Sequence, residues 1–430
     1  MSTYIFAIDL GTTKVVSVVG EKTDNGRYRI LAFGEAESSG VRRGQVENIH
    51  SVMAAVTPTL EALKAAGITE LNEVFVGIAG QHIKYTENRA DITRDKYEEE
   101  ISEEEIKLLE ANAYKLHLEP GDEVLHAIPQ TYSIDGVNNI TDPVGRLGRK
   151  LVGHFHVIIG NTASTSHTQI CIKRLGLNLQ KLILEPIASS RAVLTEDEME
   201  VGVVMVDMGG GTTDLVIYHE GIVRHTAVIP LGGNVITEDI KTGCGILQRQ
   251  AEQIKIQYGS CMSTMVPENK IITVPGIQGR EPREISFKAL ASIIEARLEE
   301  IIGMVMHEVK MYGKKLNAGI VFTGGGAQIT HLPQFIKLKT AMDVRIGKPE
   351  YTTTDSPKEL NLPKFSTAAG LVMCGFDYLE GKKLNNISIK EPVVETNPPE
   401  KENGNGNQGS GKTIKIIEAL KDFFQAKDEV

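Results

Sequence analysis

The sequence predicts an α/β protein of two related halves, and three observations carry that prediction. An apolar run at 4–8 leads into Asp9-Leu10-Gly11-Thr12-Thr13-Lys14, after which Val15, Val16, Val18 and Val19 resume it. A second run at 201–206 leads into Asp207-Met208-Gly209-Gly210-Gly211-Thr212-Thr213-Asp214 and then Leu215-Val216-Ile217-Tyr218, its leading Asp 198 residues after Asp9. Each reads as a buried strand, a tight Gly/Thr turn and a second strand, which is a β-hairpin and not a strand-to-helix turn. Ile320-Val321-Phe322 then runs into a third glycine turn, Thr323-Gly324-Gly325-Gly326-Ala327.

Length and composition bound this reading. A chain of 430 residues and 46.9 kDa exceeds a typical domain and implies several folded units. With 41% hydrophobic and 24% charged residues it is of ordinary globular type, which excludes collagen-like, disordered and disulfide-scaffold classes. Lys and Arg total 46 against 56 Asp and Glu, a net charge of -10 that gives no electrostatic reason to bind nucleic acid. Cys171, Cys244, Cys261 and Cys374 form no CxxC pair, so reduced thiols in a cytosolic protein are expected. The opening Met1-Ser2-Thr3-Tyr4-Ile5 lacks a basic region before an apolar core, and no apolar run approaches twenty residues. Neither secretion nor a membrane span is expected.

Between the glycine turns the elements follow in order. Amphipathic spacing predicts a helix near 51–66, and Val74-Phe75-Val76-Gly77-Ile78 a strand. The acidic run at 98–105 opens a helix to about Leu118, since first-turn carboxylates complement the helix dipole. Strand-like runs and turn signals such as Asp135-Gly136 and Asp142-Pro143 make 84–162 a small α+β insertion. Its closing strand puts His154 and His156 on one face; with no third ligand nearby they read as surface or packing residues. A long helix is expected over 288–311. The segment 391–411, rich in Asn, Gly and Pro, has too little to bury and reads as a flexible linker with a reach of roughly 25–30 Å.

The glycine turns carry the chemistry. Gly11 and Gly209 to Gly211 let backbone N–H groups approach phosphate oxygens, and Thr12, Thr13, Thr212 and Thr213 add hydroxyl donors. Asp9 and Asp207 cannot sit against phosphate without a cation between, so they imply Mg²⁺ held through water. One such hairpin would be a plain turn; a set of three glycine turns is a nucleotide site. The string from Gly406 to Thr413 fits G-x-x-x-x-G-K-[ST] letter for letter, but no strand precedes it, and it is rejected as a phosphate loop.

At this point the chain resembles the actin, Hsp70 and sugar-kinase superfamily, and within it the FtsA family of bacterial cell-division proteins. The resemblance covers about 1–384 plus the terminal helix. Asp9 to Lys14 is similar to the first phosphate loop, Glu185-Pro186-Ile187-Ala188-Ser189 to the first connecting helix, and Asp207 to Asp214 to the second phosphate loop. Thr323 to Ala327 is similar to the adenosine loop and Thr367-Ala368-Ala369-Gly370 to the second connecting segment. The FtsA likeness rests on Pro230-Leu231-Gly232-Gly233-Asn234-Val235, on Ala251-Glu252-Gln253-Ile254-Lys255, and on the insertion with Ile128-Pro129-Gln130-Thr131-Tyr132. It implies an actin-like (ribonuclease H-like) fold with subdomain 1A at 1–83, 163–195 and 365–384 and the inserted subdomain 1C at 84–162. Subdomain 2A would take 196–232 and 310–364, 2B 233–309, the linker 385–411, and an amphipathic helix 412–430.

The resemblance also implies ATP in the cleft, with Gly233, Glu252 and Lys255 beside purine and ribose and Gly324, Gly325 and Gly326 beneath the adenosine. Lys14 and the threonines would contact phosphate, and Asp9 and Asp207 would hold the Mg²⁺ shell, Asp207 taking part with Glu185 in catalysis. Glu185 stands where relatives position an attacking water; it either orients that water or only organises magnesium water. Any hydrolysis would be slow, the protein serving mainly in assembly. A small-molecule kinase of the same superfamily would need a sugar-site Asp that cannot be placed, and rod-shape or pilus-assembly relatives do not combine 1C with a distant terminal helix.

The last segment points to lipid. At 100° per residue Ile416, Ile417, Leu420, Phe423 and Phe424 fall within an arc of about 120°. Too short to span a bilayer, this helix would lie in the interface, or else dock on its own body or a partner. Its near-balanced charge leaves binding weak, so attachment needs many helices on one polymer. The family resemblance implies filaments of the chain itself, lipid binding, and a site on 2B for the C-terminal peptide of the tubulin-like protein FtsZ. Arg283 and Arg297 match basic positions of that surface, with solvated charges as the other reading. Later division proteins would dock through 1C, at the cytoplasmic face of the inner membrane and at the septum.

Overall fold

Two five-stranded sheets with one shared strand order organise the computed structural model, which describes residues 4–276, 278, 280–349 and 356–380. The chain opens with β1 (Tyr4–Leu10), β2 (Lys14–Lys22), β3 (Tyr28–Glu37), a small hairpin of β4 (Val41–Arg42) and β5 (Gln45–Val46), α1 (Ile49–Ala65) and β6 (Glu73–Ile78). The insertion follows with β7 (Lys84–Thr93), α2 (Glu103–Ala113), β8 (Asp122–Ile134), β9 (Val137–Ile140) and β10 (Lys150–Asn161). The first lobe resumes with α3 (Thr162–Arg174), β11 (Asn178–Leu184) and α4 (Glu185–Val193), and α5 (Glu196–Val201) opens the second lobe, where Arg345 pairs with Glu198. The second lobe holds β12 (Val203–Met208), β13 (Thr213–His219), β14 (Ile222–Ile229), α6 (Gly233–Cys244), α7 (Gln248–Tyr258), β15 (Ile271–Val274) and β16 (Arg283–Ser286). Then come α8 (Phe287–Tyr312), β17 (Gly319–Thr323), α9 (Leu332–Thr340), β18 (Val344–Ile346) and, back at the first lobe, α10 (Ser366–Leu379).

In the first sheet the order is β11-β6-β1-β2-β3, antiparallel from β1 to β3 and parallel through β6 to β11. In the second it is β14-β13-β12-β17-β18, antiparallel from β12 to β14 and parallel through β17 to β18. The same topology twice bears out the expectation of two related halves, and both Gly/Thr turns join antiparallel strands as hairpins.

Both sheets are covered on two faces, which explains their near-continuous apolar runs. Along β1, Ile5 and Ala7 pack toward α4 and α10, while Phe6, Ile8 and Leu10 pack toward α1 and α3. Along β12, Val203 and Met205 join the same α4/α10 layer, and Val204, Val206 and Met208 face α6 to α9. One shared helical layer, α4 with α10, therefore lies between the two sheets.

The insertion is a four-stranded sheet, β7-β10-β8-β9, with α2 packed on it. A capping box starts α2: Ser102 accepts from the Glu105 N–H while the Glu105 carboxylate accepts from the Ser102 N–H. The helix stops at Ala113, short of Leu118, where the Asn88 side chain donates to the Ala113 carbonyl. The insertion also reaches the second lobe, as Gln130 donates to the Val223 carbonyl at 2.7 Å and Arg224 donates to the Gln130 side chain at 3.2 Å. His156 is a packing residue at this contact, buried, stacked on Tyr85 and 3.1 Å from the Thr226 hydroxyl. Among the described residues no helix is long and apolar enough to cross a membrane. The linker, the string at Gly406 to Thr413 and the helix with Ile416, Ile417, Leu420, Phe423 and Phe424 lie outside the described residues.

Candidate functional site in the interlobe cleft

The β1–β2 and β12–β13 turns meet across the cleft. A Cβ on Gly210 would lie 2.3 Å from the Thr13 methyl, and one on Gly211 2.5 Å from the Thr12 hydroxyl, so only glycine permits this approach. The Gly209 N–H donates to the Thr212 carbonyl to close the second turn. Behind it, the Gly233 and Asn234 N–H groups of α6 donate to the Gly209 and Gly210 carbonyls, fixing the start of that helix against the turn. The third turn closes on the same point: Gly324 has φ +85, and a Cβ there would lie 2.3 Å from Asp207 Oδ1. Asp9, Gly11, Thr12, Thr13, Lys14, Glu185, Asp207, Gly209, Gly210, Gly211, Thr212, Gly324 and Gly325 all line this cleft.

One end of the cleft is strongly acidic. Asp9, Glu185, Asp207 and Asp214 line it, and Lys14 lies 3.2 Å from Asp9. Burial, then the charges of Asp9, Asp214 and Asp207, push Glu185 well above the usual carboxylate range. Burial also raises Asp207, against the hydroxyls of Ser189 and Thr367, and raises Asp214 to about 7. Asp214 accepts from the Thr212 hydroxyl on one oxygen, while its Oδ1 is buried without a partner among the described residues. Four carboxylates with an unmet acceptor form a donor set that a divalent cation would satisfy. Among the described residues no three His, Cys, Asp or Glu converge to ligate an ion directly.

Residues 204–370 match the family "Cell division protein FtsA", and residues 80–159 match the "SHS2 domain inserted in FTSA". The chain is 37% identical over 372 residues to the cell division protein FtsA of Neisseria meningitidis serogroup B, covering 86% of this chain and 89% of that one. It is 33% identical over 402 residues to the FtsA of Pseudomonas aeruginosa, covering 91% and 95%.

The chain belongs to the FtsA family.

Solved structures with a similar fold are more distant in sequence. The PilM–PilN type IV pilus biogenesis complex matches with TM-score 0.61 at 14% identity, covering 87% of this chain and 99% of that one. MreB5 of Spiroplasma citri bound to ADP matches with TM-score 0.53 at 14% identity, covering 88% and 97%. The fold is thus actin-like, carrying the family's inserted domain, as the resemblance implied.

Within this FtsA-family fold Gly233, Glu252 and Lys255 lie where α6 and α7 meet behind the second turn. Lys255 binds the Gly233 carbonyl at 3.0 Å, the Thr237 hydroxyl at 2.7 Å and Glu252 at 2.7 Å, joining α6 to α7 next to the second turn. Thr213 donates its hydroxyl to the Leu231 carbonyl at 2.8 Å, so that group serves the backbone. Gly326 packs over Met208, where a Cβ would come within 2.5 Å of the side chain. Arg283 is exposed on β16. Arg297 pairs with Asp239 at 2.6 and 2.9 Å and with Glu300, tying α8 to α6.

Sequence reasoning passed over Ser189, Asp214 and Thr367 as site residues. All three stood inside motifs already quoted, but Ser189 and Thr367 are single hydroxyls on helices, and nothing in their spacing marks them.

Proposed function

We propose that this protein is a nucleotide-dependent assembly factor of cell division that polymerises and anchors FtsZ filaments to the cytoplasmic face of the inner membrane, at the septum. The meeting of two Gly/Thr hairpins over four acidic side chains carries the reading. Backbone N–H groups of the glycine turns with the Thr12, Thr13 and Thr212 hydroxyls would receive phosphates, and Lys14 would balance their charge. Asp9 and Asp207, with Asp214 beside them, would hold a hydrated Mg²⁺, which when bound supplies the positive charge this end lacks. Gly324, Gly325 and Gly326 would underlie the adenosine, with Glu252, Lys255 and Gly233 at its ribose side. The ADP named for the MreB5 relative supports an adenine nucleotide.

Glu185 stands at the head of α4, facing the other carboxylates. Glu185→Ala should lower ATP hydrolysis several-fold more than ATP binding, measured by phosphate release and by equilibrium titration. Equal loss of both would remove its assignment to the attacking water.

The amphipathic pattern at 412–427 supports a peripheral lipid anchor, multiplied by filament formation. The partner surface for the FtsZ peptide would lie on 233–309 with Arg283 and Arg297, and later division proteins would dock on the insertion. Co-sedimentation with anionic vesicles, with and without ATP, tests the whole reading. The full chain should pellet more strongly with ATP, and the chain cut before Lys412 should stay in solution. Retained pelleting after the cut would remove the tether.

A further inference from the structure

Asp207 is held from behind by the two helices that connect the lobes. Ser189 of α4 donates its hydroxyl to Asp207 Oδ2, and Thr367 of α10 donates to the same oxygen at 3.2 Å. The two hydroxyls lie 3.0 Å from each other, and all three groups are buried. Asp207 lies one residue before the end of β12, in the second lobe, whereas α10 packs on β1, β2 and β6 of the first. The two helices pack backbone to backbone here, since a Cβ on Gly370 would lie 1.8 Å from the Ala188 carbonyl oxygen. The next hydroxyl along α4 has the same kind of contact, Ser190 lying 2.7 Å from the Tyr218 hydroxyl of β13.

We propose that Ser189 and Thr367 are positioning residues that lock the Asp207 carboxylate with Oδ2 toward the crossing helices and Oδ1 toward the cleft. The inference rests on the reading of Asp207 as a carboxylate that serves a hydrated Mg²⁺. An Asp side chain has two soft torsions, so a buried carboxylate that feels the charge of Asp9 turns away from it unless it is held. Two hydroxyl donors on one oxygen oppose that rotation, and charge-assisted bonds of this kind are the strong ones. Since one donor comes from each crossing helix, relative rotation of the lobes changes the grip on Asp207. Engagement of Asp207 and lobe orientation are therefore linked through these two hydroxyls.

The test uses the full chain and ATP titrated with Mg²⁺ and again in EDTA. In the Ser189→Ala, Thr367→Val double variant, the gain in ATP affinity that Mg²⁺ gives the unaltered protein should fall about tenfold, with affinity in EDTA unchanged within twofold. Thr367→Ser should retain most of the gain. An unchanged gain in the double variant overturns the inference while leaving the nucleotide reading intact, and so does an equal loss of affinity in EDTA, which marks a merely structural role. Absence of any Mg²⁺ gain in the unaltered protein overturns both. If circular dichroism shows the double variant unfolded, Thr367→Val alone decides: its gain should fall at least threefold, and an undiminished gain overturns the proposal.

Discussion

Replacing Gly370 by alanine should destabilise the protein by more than about 3 kcal/mol, although helix propensity alone predicts a gain of about 1 kcal/mol for this change. The residue lies in the first half of α10, where an added Cβ would stand 1.8 Å from the Ala188 carbonyl oxygen and 2.3 Å from its carbon. Contacts below 3 Å do not persist, so α10 and α4 would have to part by more than about 1 Å along the layer that both sheets share. Separation there also displaces Glu185, Ser189 and Thr367 together, so nucleotide affinity should fall with stability. Gly303 is the control: exposed on α8, it has nothing within 4 Å of an added Cβ. Gly303→Ala should leave stability unchanged or raise it by up to about 1 kcal/mol. Urea unfolding of both variants reads the difference; a Gly370→Ala protein as stable as Gly303→Ala would mean that the two helices are not in close contact.

Local signals made the two hairpins legible in the sequence because a Gly/Thr turn between apolar runs has few alternatives, and the doubled motif revealed the doubled topology. The helix Phe287–Tyr312 was equally plain from its periodicity. What stayed hidden depends on contacts made far along the chain. Where α2 stops, the Ala113 carbonyl accepts from the Asn88 side chain of β7, 25 residues earlier in the chain. Thr213 looked like a phosphate donor in its motif, yet strand pairing turns its hydroxyl to Leu231. Arg297 looked like a free cation, and only the packing of α8 on α6 brings Asp239 to it. Ser189 and Thr367 are 178 residues apart, and no local pattern could place both hydroxyls on one carboxylate oxygen.

The second large effect concerns acid. His126 sits on β8 opposite Ile158, is 1% exposed, and neither ring nitrogen has a partner among the described residues. Burial, with a smaller push from the charge of Lys181, lowers its pKa to about 3. In the unfolded chain the ring takes up a proton near pH 6.5, and in the folded protein it does so only near 3. Between those values the unfolded state binds the extra proton, so this stabilising contribution is whole above pH 6.5 and declines by about 1.4 kcal/mol per pH unit below it. Over the full window the loss is on the order of 4–5 kcal/mol. His156, lowered to about 4 by burial and then by His225, acts in the same direction. Asp214, raised to about 7, acts in the opposite one, as the folded state then holds the proton. A single pH profile mixes these with the raised carboxylates of Glu185 and Asp207, and the difference between two profiles isolates His126. His126→Phe keeps a ring of similar shape and cannot be protonated. Relative to the unaltered protein, its stability should be about 2–3 kcal/mol higher at pH 4.5 than the same comparison gives at pH 8. Urea titrations at the two pH values decide it: parallel profiles would show that the ring is solvated or paired, and that the insertion is not closed over it at the base of β8.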